Sequence, residues 1–112
     1  MTERNEYILI VDDEEMIRLL ISQKLSAQGY SWQTAANAEE AANRLRESPI
    51  ALVLLDINMP GKSGAVLLPE IAAMYPDTAV IVVTAISDAH VAVKCIRDYT
   101  STIHLKSYLL YS

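Results

Sequence analysis

At 112 residues the chain is long enough for one domain around a single core, and with 52% hydrophobic residues, 3 Gly and 4 Pro it is expected to fold rather than stay disordered. A formal net charge of -5 argues against nucleic acid or an anionic membrane surface as the main partner. The one cysteine, Cys95, excludes an internal disulfide and suits a reducing cytoplasm. Met1 to Glu6 lacks the apolar core of a signal peptide, and no apolar run is long enough to span a bilayer.

Tyr7 to Val11 reads as a buried strand that ends in Asp12 and Asp13. Residues 15–28 place Ile17, Leu20, Ile21 and Leu25 at helical spacing, with Gly29 as a carboxyl-terminal stop. Ser31 to Ala35 is a weaker, edge-like strand. Asn37, with Glu40 three residues later, forms a capping box. The helix it starts turns Ala38, Ala41, Ala42 and Leu45 inward and stops at Ser48-Pro49. Leu52 to Leu55 reads as a central strand buried on both faces. It ends on Asp56, and Met59-Pro60-Gly61 then turns the chain away.

A helix is predicted over 65–74, with Pro69 either kinking it or confining its regular part to the carboxyl-terminal half. Ala79 to Val83 is a second fully buried strand, followed by Thr84. Ser87 can cap a further helix with Val91, Ala92, Cys95 and Ile96 on its inner face. Thr102 to Leu105 is the last strand candidate, ending at Lys106.

This alternation predicts one α/β domain over 1–112, a doubly wound parallel sheet with helices on both faces. Right-handed crossovers make a five-stranded flavodoxin-like sheet the simplest arrangement. Ligands bind beyond the carboxyl ends of such strands, and there the sequence gathers Asp12, Asp13, Asp56 and Thr84, with Lys106 after the fifth strand. Three crowded carboxylates repel unless a cation neutralises them, and a hard divalent ion such as Mg²⁺ suits oxygen ligands. Mg²⁺ and a lysine could hold an incoming phosphoryl group in line with Asp56, while the Thr84 hydroxyl bonds one of its oxygens. The product would be an aspartyl phosphate.

At these residues the sequence resembles the receiver domains of two-component response regulators. The matching pieces are Ile10-Val11-Asp12-Asp13, the run Leu54-Leu55-Asp56-Ile57-Asn58-Met59-Pro60-Gly61 with Gly64, Val82-Val83-Thr84-Ala85, and Lys106 at 22 residues from Thr84. The resemblance runs from Tyr7 to Arg97, with Lys106 beyond it. It implies strand order 2-1-3-4-5 and an Asp56 that accepts a phosphoryl group from a histidine kinase or histidine phosphotransfer protein. It further implies Mg²⁺ held by Asp12, Asp13, Asp56 and the backbone carbonyl of Asn58, with Thr84 and Lys106 on the phosphoryl oxygens. A downstream protein effector would then read the altered contacts.

The segment 98–112 departs from that family's pattern. Tyr99 and Thr100 replace a Gly-Ala pair, Ile103 stands where the switch aromatic would be, and Ser107 replaces a proline. Six residues after Lys106 span only ~9 Å as a helix, so the usual fifth helix is expected to be missing or atypical. A half-bare sheet face would favour a homodimer or oligomer, with Tyr108 to Tyr111 helping to cover it. The competing reading is a pseudo-receiver, an interaction module with an impaired phosphorylation switch. A Mg²⁺-dependent phosphatase fits less well, because Asn58 stands where its general acid would be an aspartate. Cys95, His90, His104 and Trp32 read as packing or surface residues.

Overall fold

Runs of β-branched and leucine side chains form the strands, and amphipathic stripes form the helices between them. The computed structural model describes residues 6–56, 64–84 and 103–107. In chain order these form β1 (Tyr7–Val11), α1 (Glu15–Ala27), β2 (Trp32–Ala35), α2 (Ala38–Glu47), β3 (Ile50–Asp56), α3 (Gly64–Met74), β4 (Ala79–Thr84) and β5 (Ile103–Ser107). All neighbouring strands are parallel, in the order β2-β1-β3-β4-β5. This is the predicted doubly wound, flavodoxin-like sheet. The expected helix after Ser87, the turn at Met59-Pro60-Gly61, and Tyr108 to Tyr111 lie outside the described residues, as does any fifth helix.

Among the described residues, the sheet's two faces are packed unequally. Under α2 and α3 lies a continuous core that includes Leu9, Val11, Val53, Leu55, Val80 and Val82 from the strands and Ala41, Leu45, Leu67, Leu68 and Ile71 from the helices. On the opposite face Ile10, Ile17 and Ile21 form a smaller cluster, with Leu25 and Leu54 packed against it. Strands β3 and β4 are not fully buried, since Leu52, Leu54 and Ile81 are only half-buried. Among the described residues, α1 is the helix on that face, and it packs along β1 and β2.

Local chemistry sets the element ends. Asn37 Oδ1 accepts the Glu40 amide at 2.8 Å, as a capping box requires, whereas the Glu40 carboxylate reaches one residue further back, to the amide of Ala36 at 2.8 Å. Gly29, at φ +86°, closes α1 in the left-handed conformation, and the amides of Gly29 and Tyr30 bond the carbonyls of Ser26 and Leu25. Along α1, Ile17 and Ile21 are buried, but Leu20 is 36% exposed. The buried stripe follows i, i+4, i+8 through Leu25, and Leu20 falls on its flank. Ala42 is likewise half-buried rather than inward.

Pro69 does not confine α3 to its carboxyl-terminal half: the helix runs unbroken over Gly64–Met74. The proline removes a single amide donor just past the first turn, and burial of Leu67, Leu68 and Ile71 holds the turns on either side together. The buried Thr78 donates its hydroxyl to the Ile50 carbonyl at 2.9 Å, tying the entry of β4 to the entry of β3. That bond helps fix the register that carries the two strand ends to the same level.

Candidate functional site

Asp12 follows β1 directly. Its amide donates to the Ala35 carbonyl at 3.1 Å, the last bond between β1 and β2. Its carboxylate Oδ1 accepts the Glu14 amide at 2.8 Å, and its backbone carbonyl accepts from Arg18 Nη1 at 2.8 Å. Glu14 is the amino-terminal cap of α1 yet supplies no side-chain cap bond. The strand end and the helix start are thus joined through Asp12.

Asp56 is the last residue of β3 and half-buried, and Asp13 is exposed. Because Val11 pairs with Leu55, Asp12 and Asp56 stand side by side one step beyond that pair. One carboxylate oxygen from each of Asp12, Asp13 and Asp56 lies within 4.8 Å of the others. The predicted acid cluster joins the adjacent Asp12 and Asp13 to Asp56, which lies 43 positions beyond Asp13 in sequence.

Crowding and burial leave a charge problem. Asp12 is only 7% exposed, and burial raises its carboxyl pKa from an ordinary 3.8 to about 6. Hydrogen bonding to the Glu14 amide opposes the rise, the negative charges of Asp13 and Glu14 add to it, and Arg18 lowers it. Three convergent hard oxygen donors are a fitting set for a small divalent cation, which would supply the missing positive charge. The cluster can hold a metal ion.

The register brings the remaining candidates to the same edge. Asp56 pairs with Val83, Val83 with Lys106, and Thr84 with Ser107, so Lys106 and Thr84 occupy backbone positions at the level of Asp56 and one step beyond it. Asn58 lies outside the described residues. Arg18 is the site residue that the sequence reading missed. The available signal was a cation on the second turn of a helix that begins just after a strand-end aspartate. Among the described residues no helix is long and apolar enough to cross a membrane.

Comparison with known proteins agrees with this geometry. The family model of the response regulator receiver domain matches residues 8–107. The chain belongs to that family, the signalling domains of two-component systems with a CheY-like fold. It is 42% identical over 81 residues to response regulator RR06 of Streptococcus pneumoniae, covering 72% of this chain and 37% of that protein. A putative NtrX-like response regulator of Rickettsia felis is 38% identical over 92 residues, covering 80% of this chain and 19% of its relative. The chain therefore spans well under half the length of these curated relatives.

Among solved structures, the response regulator TrrA of Thermotoga maritima, in complex with Mg²⁺ and BeF, is 35% identical with a TM-score of 0.78. The match covers 95% of this chain and 90% of TrrA. The receiver domain of NtrX from Brucella abortus is also 35% identical, with a TM-score of 0.76, over 88% of this chain and 84% of that one.

Proposed function

We propose that this chain is a phosphoacceptor receiver domain in which Asp56 takes a phosphoryl group from the phosphohistidine of a histidine kinase or histidine phosphotransfer protein. The observation that carries the reading is the convergence of three carboxylates at the carboxyl edge of the sheet, with Asp56 closing the central strand. A carboxylate oxygen of Asp56 forms the new P–O bond as the P–N bond to the donor imidazole breaks, and the imidazole leaves with the electron pair. Water later cleaves the acyl phosphate and regenerates the carboxylate. The domain turns over no external substrate, so it is a signalling module rather than an enzyme.

Asp12, Asp13 and Asp56 would hold Mg²⁺, together with the Asn58 carbonyl, and the ion when bound neutralises phosphoryl oxygens. Asp12 is a stiff ligand because both its carboxylate and its carbonyl are already hydrogen-bonded. The Thr84 hydroxyl donates to one phosphoryl oxygen and the Lys106 ammonium pairs with another; the backbone positions of Lys106 level with Asp56 and of Thr84 one step beyond it support these roles. Phosphorylation then shifts the population of conformers and with it the contacts to a downstream protein effector in the cytoplasm.

A ¹⁹F NMR titration with beryllium fluoride tests the acceptor site. A bound resonance that requires Mg²⁺ and is absent from Asp56→Asn is expected; no bound resonance in the folded wild type would contradict the reading. The pseudo-receiver reading is favoured by one observation: β5 opens on Ile103, paired with Val80, where the family has its switch aromatic. Such a domain would bind the ion and yet fail to change its contacts.

A further inference from the structure

The carbonyl of Asp12 lies one step past the end of a ladder. Its own amide still reaches β2 through the Ala35 carbonyl, but β2 ends at Ala35 and offers the Asp12 carbonyl no further strand partner. Arg18 takes over that position: Nη1 donates at 2.8 Å from the second turn of α1. The arginine lines the outer groove between α1 and β2 with Met16, Leu19 and Trp32. It therefore approaches Asp12 from the β2 side, whereas Asp56 stands on the β3 side. With the Glu14 amide on Oδ1, Asp12 is held at two points, neither of them supplied by another acid of the cluster.

We infer that Arg18 is a positioning residue for the cation site, and that by fixing the turn from β1 into α1 it sets the preference of the cluster for Mg²⁺ over the larger Ca²⁺. The inference rests on reading the acid cluster as a cation site. Mg²⁺ demands near-ideal octahedral geometry at short distances, whereas Ca²⁺ accepts longer and irregular ligation. A turn that loses its anchor should thus penalise Mg²⁺ more than Ca²⁺. Partners that orient a ligand from outside the coordination shell typically change metal affinity by about 10- to 100-fold when removed.

The charge of Arg18 acts in the opposite sense. A guanidinium beside a cation site repels both ions, so its loss through charge alone would tighten Mg²⁺ and Ca²⁺ alike. The two roles therefore predict opposite signs, and the ratio of the two affinities is insensitive to charge and to global stability.

Calorimetric titration of the full chain with Mg²⁺ and with Ca²⁺ decides between them, using wild type, Arg18→Gln and Arg18→Lys, with Asp13→Asn as the ligand control. Arg18→Gln should weaken Mg²⁺ about tenfold and Ca²⁺ much less. Arg18→Lys, which keeps one donor for the Asp12 carbonyl, should recover most of the loss. If Arg18→Gln does not fold, Arg18→Met retains the stem in the groove, and its Mg²⁺ to Ca²⁺ ratio is read in its place. Unchanged or tighter binding of both ions by the folded variant would overturn the positioning role. Failure of wild type to bind either ion, or wild-type binding by Asp13→Asn, would instead overturn the cation-site reading and the inference with it.

Discussion

Burial has opposite consequences under α2 and α3 and at the carboxyl edge of the sheet. On the helix-covered face, side chains such as Leu9, Leu55 and Leu68 are completely buried, and removing their apolar surface from water stabilises the fold. At the edge, the same enclosure around Asp12 disfavours the charged form of a carboxylate that already faces Asp13 and Asp56. One region supplies stability and the other consumes it. That division suits a cation site, whose rigidity would come from the core and whose charge a bound cation would balance.

The largest test of this contrast is in the core. Leu68→Ala should cost about 3 kcal/mol of unfolding free energy through lost transfer energy and the cavity left behind. Denaturant titration would measure the loss, and the fraction still folded should keep its Mg²⁺ affinity. If the ion affinity fell in step with stability, the two regions would not be separable.

Asp12→Asn should act the other way. The folded-state pKa of Asp12 is raised, so folded protein binds this proton more tightly than the unfolded chain. Its favourable contribution is complete below about pH 3.8 and is lost as pH rises through about 6. Two pKa units correspond to about 2.7 kcal/mol, and screening on the open Asp13 side reduces the expected effect to about 1 kcal/mol. Without divalent ions, Asp12→Asn should therefore be more stable than wild type at neutral pH, and the gap should close toward pH 4. Wild type alone should be stabilised by Mg²⁺. Melting curves across pH, with and without the ion, read both effects, and a gap that widened on acidification would contradict the sign.

Asn37→Ala is the smallest of these tests. It removes an exposed cap that touches none of the three acids and should cost about 1 kcal/mol, with little change in ion binding. A large shift in ion affinity would show that the turn from β2 into α2, which meets Asp12 through the Ala35 carbonyl, also shapes the cluster.

Much of this was legible in the sequence because the decisive features are local. A strand that stops on an aspartate, an Asn-x-x-Glu cap and a glycine after an apolar stripe each carry their own physical cause. The coming together of Asp12, Asp13 and Asp56 followed from parallel topology alone. The expectation of strands sealed on both faces went too far, because a continuous apolar run does not report how many helices cover each side. Leu52, Leu54 and Ile81 are only half-buried. The continuity of α3 through Pro69 was hidden because propensity prices the lost bond but not the burial of Leu68 and Ile71. Arg18 was missed because its partner is a backbone carbonyl, which leaves no mark in a pattern of side chains.

The central claim is that Asp56 is an acceptor, and intact mass after incubation with Mg²⁺ and a small acyl phosphate donor tests it most directly. The account predicts one added phosphoryl group on wild type, none on Asp56→Asn and none when Mg²⁺ is chelated. A folded, Mg²⁺-binding wild type that gains no mass would contradict it and leave the pseudo-receiver reading in its place.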